Sequence, residues 1–146
     1  MVDFIEAFKE GQTAAEIAKK NNQEITSVLN ELNKQINKAT DGKIRISLSP
    51  EIIRLSDKPS LADLVGRGRW GRYIDAENSL IPNSPKKELV KWEQGREGYP
   101  CKITIGNKQH YCEDKTELEN TLALMLQDPI VAETLTYLMS LSENKN

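Results

Sequence analysis

One segment constrains the fold of this chain more than any other, an apolar stripe in residues 25–36. Its members share the spacing of a single helix face: Ile25, Val28, Leu29, Leu32 and Ile36. Four residues share the opposite face, and none of them is acidic: Gln23, Ser27, Asn30 and Lys34. The stripe predicts an amphipathic helix with one buried face. The polar face carries amide, hydroxyl and ammonium groups, which can contact base edges and phosphates in a DNA major groove.

Two shorter helices are predicted before this one. Asp3 followed by Glu6 forms a capping box, and Gly11 supplies a stop signal for the first helix. Thr13 followed by Glu16 repeats the box, and we expect the second helix to end in the polar turn at residues 19–22. The N-terminal third is therefore predicted to contain three helices.

A strand is predicted directly after the third helix. Asp41-Gly42 is a strong hairpin-turn signal, and Ile44, Ile46 and Leu48 alternate with polar residues, as in a strand with one buried face. Lys43 and Arg45 lie on the polar side of this strand, near the expected hairpin tip. Three helices followed by a small basic hairpin are typical of a winged helix.

The sequence in this region resembles the winged helix-turn-helix superfamily of DNA-binding regulators. The resemblance is carried by residues 13–20, residues 28–32 and the Asp41-Gly42 turn. It implies that the third helix enters the major groove and that the wing contacts the backbone or the minor groove.

The middle of the chain is predicted to be a basic connecting segment. Residues 66–73 combine Arg67, Arg69 and Arg72 with three glycines, Trp70 and Tyr73, which would suit a flexible arm on nucleic acid. In the alternative interpretation the two aromatic rings pack onto a domain and the arginines bind local carbonyl or carboxylate groups. Short helices are predicted at Ser60 and at Ser84-Pro85.

The C-terminal part is predicted to form a hairpin followed by two helices. Residues 101–105 and 108–112 flank a Gly106-Asn107 turn, so Cys101 faces Cys112. Free thiols are favoured over a disulfide, and a metal site with His110 is disfavoured because a fourth ligand is missing. Asp114 with Glu117, or Thr116 with Glu119, is predicted to cap one helix, and Asp128-Pro129 is predicted to begin the other.

These patterns predict an α+β protein with three parts. Residues 1–57 form a three-helix winged-helix module, residues 58–98 a basic Gly/Arg-containing connection with short helices, and residues 99–146 a smaller subdomain of a β-hairpin and two helices. With 20 basic and 22 acidic residues the net charge is −2, which argues against binding nucleic acid by bulk charge. No 18-residue apolar run exists and the start is acidic, so we expect a cytoplasmic protein with no membrane span.

The prediction for function is a small transcriptional regulator that binds double-stranded DNA sequence-specifically as a homodimer. The expected DNA contacts are Gln23, Ser27, Asn30, Lys34, Lys43, Arg45, Arg67, Arg69 and Arg72. Two alternatives stay open. One is a protein-interaction module, an inhibitor or adaptor, that uses the C-terminal helices. The other is a binder of RNA or single-stranded nucleic acid that uses the Arg/Gly/Trp segment. We expect no catalytic residue, metal ion or other cofactor.

Overall fold

The computed structural model of the chain describes residues 1–49 and 72–142. A long helix α1 (Phe4–Ala39) leads into strand β1 (Ile44–Leu48). Four further strands follow: β2 (Arg72–Asn78), β3 (Lys87–Gly95), β4 (Gly98–Ile105) and β5 (Lys108–Cys112). Helices α2 (Lys115–Gln127) and α3 (Pro129–Ser140) complete the described fold. The fold is α+β, but its N-terminal part is one helix and a strand, so the prediction of a three-helix winged-helix module is wrong.

Helix α1 runs without a break through both predicted helix ends. Asp3 caps it as predicted, accepting hydrogen bonds from the backbone N–H groups of Ile5 and Glu6 at 3.1 and 3.0 Å. Gly11 lies inside the helix, where glycine costs only about 1 kcal/mol relative to alanine. A penalty of that size does not end a helix that is continued on both sides by good helix formers.

Three polar side chains that the sequence pattern predicts to lie at helix ends have other partners. The Thr13 hydroxyl donates to the carbonyl of Lys9 (3.2 Å), one turn back in the same helix, so it caps nothing. Asn21 donates from Nδ2 to the carbonyl of Glu97 (2.8 Å), and Asn22 accepts a hydrogen bond from the Gln94 side chain. The two asparagines therefore hold α1 against the sheet.

The Asp41-Gly42 pair ends α1 and does not form the tip of a wing. Asp41 (φ 53°) and Gly42 (φ 83°) both adopt left-handed backbone conformations. The N–H of Gly42 donates to the carbonyl of Asn37 (2.8 Å) and that of Asp41 to the carbonyl of Lys38 (3.3 Å), which is the Schellman pattern of a helix C-terminus. The predicted strand exists as β1, but its partner is β2.

The five strands form one antiparallel sheet in the order β1-β2-β3-β4-β5. All three helices pack on the same face, which we call the inner face. Its buried members are Ile44, Ile46, Ile74, Ala76, Asn78, Val90, Trp92, Cys101, Ile103 and Cys112. They join residues of all three helices in a single hydrophobic core, including Val28 of α1, Leu122 of α2 and Leu138 of α3. The outer face carries charged and polar residues, as antiparallel sheets allow.

The middle of the chain supplies the central strand β3, so the helix predicted from Ser84-Pro85 is wrong. Val90 and Trp92 point inward, while Lys91 between them is exposed. Leu89 lies in a bulge, because Ile74 pairs with Val90 whereas Asp75 pairs with Glu88. The bulge places apolar residues at 89, 90 and 92, a spacing that fits a helix as well as a strand.

The other short helix predicted for the middle of the chain, at Ser60, lies outside the described residues. The same is true of Trp70 in the Arg/Gly/Trp segment. Tyr73 of that segment belongs to β2, where it pairs with Lys91 of β3.

The predictions for the C-terminal elements are confirmed. Cys101 pairs with Cys112, Ile103 with His110 and Ile105 with Lys108. Asp114 accepts from the N–H of Glu117 (2.9 Å), and Asp128 accepts from those of Ile130 and Val131 (both 3.1 Å). The hairpin is, however, the edge of the five-stranded sheet, and α2 and α3 cover the same core as α1.

Asn78 joins the sheet to the end of α3 and gives a test of this packing. Its Nδ2 donates to the carbonyl of Leu138 (2.8 Å), and its Oδ1 accepts from the N–H of Leu80 (3.0 Å). Because Asn78 is buried, replacement by alanine removes both of these hydrogen bonds, and the Leu138 carbonyl keeps only the 3.3 Å bond from the N–H of Leu141. We expect Asn78→Ala to lower the free energy of unfolding by about 2 kcal/mol in urea titrations. Asn120→Ala, at an exposed site on α2, should change it by less than about 0.5 kcal/mol.

Candidate interaction surface

The first half of α1 projects beyond the sheet. Among the described residues, the first hydrogen bond from α1 to the sheet is made by Asn21, whose Cβ lies so close to Gly98 that a Cβ added there would stand 2.7 Å away. Residues 4–20 precede this point, and we call them the helical arm. At about 1.5 Å per residue the arm is about 25 Å long.

Large apolar side chains on the arm are exposed. Phe4 is 78% exposed, Ile5 70% and Phe8 67%, and Ile17 on another side is 50% exposed. Elsewhere in the described parts of the chain, large exposed apolar side chains are scattered, such as Leu124, Ile130 and Tyr137 on the C-terminal helices. The arm therefore carries the most concentrated exposed apolar surface of the described residues.

The arm separates its charges from its apolar residues. Successive residues of a helix are rotated by about 100°, which groups nine uncharged residues on one half of the arm, the apolar face: Phe4, Ile5, Ala7, Phe8, Gly11, Gln12, Ala14, Ala15 and Ala18. Five charged residues lie on the other half: Glu6, Lys9, Glu10, Glu16 and Lys20. Lys19, next to the sheet, is the one charge of residues 4–20 that falls on the apolar side.

The apolar face continues the buried stripe of α1. Positions 4, 8, 11, 15 and 18 are separated by alternating steps of four and three residues, and the same steps lead through 22 to 25, 29, 32 and 36. The sheet covers this seam from Ile25 onward, where Leu29, Leu32 and Ile36 pack against the core. The signal was present in the sequence, but reading Gly11 and Asn21-Asn22 as stops divided it into separate helices.

The four predicted DNA contacts of the amphipathic segment do share one exposed ridge of α1. Gln23, Ser27, Asn30 and Lys34 are all exposed, on the side of the helix away from the core. Acidic neighbours flank the ridge. Glu31 accepts a hydrogen bond from Gln35 (3.0 Å), and Glu24 accepts one from the Tyr99 hydroxyl (2.6 Å). Burial, with Glu24 beside it, raises the pKa of Tyr99.

Of the other predicted DNA contacts, Arg45 and Arg72 line the groove between α1 and the sheet, together with Asn30 of the ridge. Arg45 of β1 lies 4.0 Å from Glu77, and Lys43 precedes the same strand. Arg72 donates from Nε to the carbonyl of Ser49 (2.8 Å), which ties β2 to the end of β1. Arg67 and Arg69 lie outside the described residues. The described sites are therefore divided between the helical layer and the sheet.

Two grooves flank α1. One, of about 510 Å³, lies between α1 and α2 and combines Leu32 and Leu122 with Glu24, Glu31 and Glu119. The other, of about 470 Å³, lies between α1 and the sheet and has amide walls from Asn22, Asn30 and Asn33, with Arg72 at its side. Ser27 also lines the first groove, where Glu24 and Glu31 are hydrogen-bonded to Tyr99 and Gln35.

Cys101 and Cys112 are buried free thiols that face one another across β4 and β5. Burial, and then the neighbouring Cys112, raises the pKa of Cys101 to about 12. Burial also raises the pKa of Cys112, whose thiol lies 3.4 Å from the Thr121 hydroxyl. Thiols held protonated are poor nucleophiles and poor metal ligands. In residues 1–49 and 72–142, no three His, Cys, Asp or Glu side chains are placed to bind a metal ion.

On the outer face, one carboxylate is well paired and another is not. Lys102 lies 2.7 Å from Glu93, and this hydrogen bond lowers the pKa of Glu93. Asp75 is 8% exposed, and its Oδ1 has no hydrogen-bond partner among residues 1–49 and 72–142. Burial, and then the nearby Glu88, raises the pKa of Asp75. Its ionised form therefore opposes folding.

No protein-family model matches the chain, and neither a curated protein nor a solved structure is significantly similar to it. None of the described helices has the length and apolar composition that crossing a bilayer requires.

Asp75→Asn tests the electrostatics of the outer face. A raised pKa in the folded state means that folding binds protons, so stability falls as pH rises from the unfolded value of 3.8 through the folded pKa. The Asp75→Asn variant has no ionisable group at this position, so it does not lose stability in this way as pH rises. We expect it to be more stable than the parent by about 1 kcal/mol at pH 7, with the difference shrinking towards pH 3. Urea titrations at several pH values measure this, and equal stability at every pH would contradict it.

Proposed function

We propose that this protein is an interaction module that binds a protein partner along the apolar face of its helical arm. The observation that carries the proposal is the exposure of Phe4, Ile5 and Phe8 on a face whose one charge, Lys19, lies at the other end of the arm, next to the sheet. Burying such a side chain fully is worth roughly 1.5–3 kcal/mol. An amphipathic helix that lies in a groove or pairs with another helix uses anchors of this kind.

A protein surface suits the arm better than a lipid surface. Helices that lie in membrane interfaces commonly have polar faces rich in lysine and arginine. The charged half of this arm instead carries Glu6, Glu10 and Glu16 against Lys9 and Lys20. Acidic groups on this side would be repelled by anionic lipids.

The arm is a better candidate than the C-terminal helices. Most large apolar residues of α2 and α3 are already used in the core, among them Leu118, Met125 and Leu138. The large apolar residues that these helices leave exposed are fewer, namely Leu124, Ile130 and Tyr137.

Photo-crosslinking from the arm tests the proposal in cells that express the chain. We expect a photoreactive phenylalanine analogue at Phe8 to give a discrete protein adduct on illumination. The same analogue at Thr13, on the charged half, is the matched control and should give little or none. Equal labelling from both positions, or no protein adduct from Phe8, would contradict the proposal.

Double-stranded DNA is the second candidate ligand, favoured by the exposed ridge of Gln23, Ser27, Asn30 and Lys34. This ridge can present amide, hydroxyl and ammonium groups along one line, and a second copy would double its phosphate contacts. The ridge is separate from the apolar face of the arm, so one chain can carry both surfaces.

Fluorescence anisotropy with duplex DNA fragments at low salt tests this second candidate. We expect micromolar binding that weakens at least tenfold in the double variant Asn30→Ala/Lys34→Glu, since each change removes a group from the ridge. Thr13→Ala, on the arm away from the ridge, is the control. Absence of binding at micromolar protein, or binding that the double variant leaves intact, would exclude the ridge as a DNA interface.

A further inference from the structure

The sizes of the residues along the helical arm indicate what its partner is. The first half of the apolar face carries the large residues Phe4, Ile5 and Phe8, and the seam of its second half carries the small residues Gly11 and Ala15. Large residues pack best against small ones on the facing helix. A second arm that runs in the opposite direction would therefore place its small residues opposite the large residues of the first arm.

Resting on the proposed function, we infer that the partner of the arm is a second copy of this chain, with the two arms antiparallel. In the alignment that puts seam residues opposite one another, Phe8 meets Gly11 of the other arm and Phe4 meets Ala15 of the other arm. By symmetry these layers occur twice. Each of the four layers combines one phenylalanine with one glycine or alanine.

The flanking positions accept this arrangement. Ala7 of one arm lies beside Ala14 of the other, and Ile5 lies beside the uncharged Gln12, so the immediate flanks bring no charges together. A parallel pair would instead stack Phe4 on Phe4 and Phe8 on Phe8. The phenylalanine rings would hold the two helices apart, and voids would remain where Gly11 faces Gly11 and where Ala15 faces Ala15. The antiparallel arrangement also opposes the two helix dipoles.

The space available around Gly11 is consistent with a close approach of a second helix. In the part of the chain that the structure describes, nothing lies within 4 Å of a Cβ added at this glycine. A ring from the facing arm can therefore rest directly on the backbone. The four layers use residues 4–15, and the first hydrogen bond from α1 to its own sheet is that of Asn21. The pair thus forms without displacing contacts of the folded body.

The buried area is sufficient for a reversible dimer. Phe4, Ile5 and Phe8 of each copy now expose between 67% and 78% of their surface. Two arms together would remove on the order of 1,000 Å² from water, the lower end for specific interfaces. We therefore expect dissociation in the micromolar range and not a permanent dimer.

Sedimentation velocity of the purified full chain, over about 1–300 µM, tests the dimer. We expect the 16.5 kDa species to be replaced by one of twice that mass as concentration rises. Gly11→Leu should weaken the dimer at least tenfold, because the added side chain occupies the place of Phe8 from the other arm. Leucine is a better helix former than glycine, so circular dichroism should show that helix content is retained or increased.

The control variant Thr13→Leu places a leucine on the charged half of the arm. It should leave the dimer unchanged. A monomer at every concentration would overturn the inference, as would a dimer that Gly11→Leu leaves intact or strengthens. If purified protein stays monomeric while Phe8 still crosslinks to a different protein in cells, the proposed function stands and the second copy is excluded. If Phe8 crosslinks to nothing, the proposed function fails as well.

Disulfide formation tests the orientation of the arms. Chains with Ala7→Cys mixed with chains with Ala14→Cys should form a mixed disulfide, and neither should link to itself, because like positions lie about 10 Å apart along the pair. Ala15→Cys alone would link to itself only in a parallel pair, and such a product would overturn the antiparallel arrangement. The native thiols Cys101 and Cys112 are buried and should not compete.

Discussion

The structure of the helical arm depends on the packing of the other half of α1 against the sheet. A helix of 17 residues that contains glycine and packs on nothing is marginal in water, since forming its first turn is costly. Ile25 and Val28, buried in the core, fix the helical conformation from which the arm extends. Asp3 supplies the cap at the far end. The body and the cap together let the arm present phenylalanines to solvent in a regular array.

The C-terminal half of the chain was predictable because its signals are local. The Gly106-Asn107 turn determines the register of β4 and β5, and Asp114 and Asp128 cap the helices that follow. This turn and these helix caps are each formed by residues only a few positions apart in the sequence. Sequence patterns describe interactions of that range well, and tertiary contacts did not override them.

The helix ends predicted for the N-terminal half are wrong because the polar residues that indicate them bind to distant parts of the chain. Asn21 and Asn22 resemble a helix end in sequence, but their amides bond to Glu97 and Gln94, more than 70 residues away. The same holds for β1. Residues 49–71 separate it from its partner β2 in the sequence, so no local turn indicates that the two strands pair. Of the candidate site, the ridge around Asn30 could be derived from periodicity. The exposure of the arm could not be derived in this way, because it depends on where the sheet ends along α1 and not on the sequence pattern.

The continuity of α1 has a consequence for whatever binds the arm. A flexible linker would let a bound partner sample many positions relative to the sheet, and ordering it would cost entropy. Here no residue between Phe8 and Ile25 interrupts the helix. A partner on the apolar face is held at a set distance from the sheet and at a set angle around the helix axis. With the proposed partner bound, α1 would thus act as a rigid spacer whose backbone is already ordered before binding.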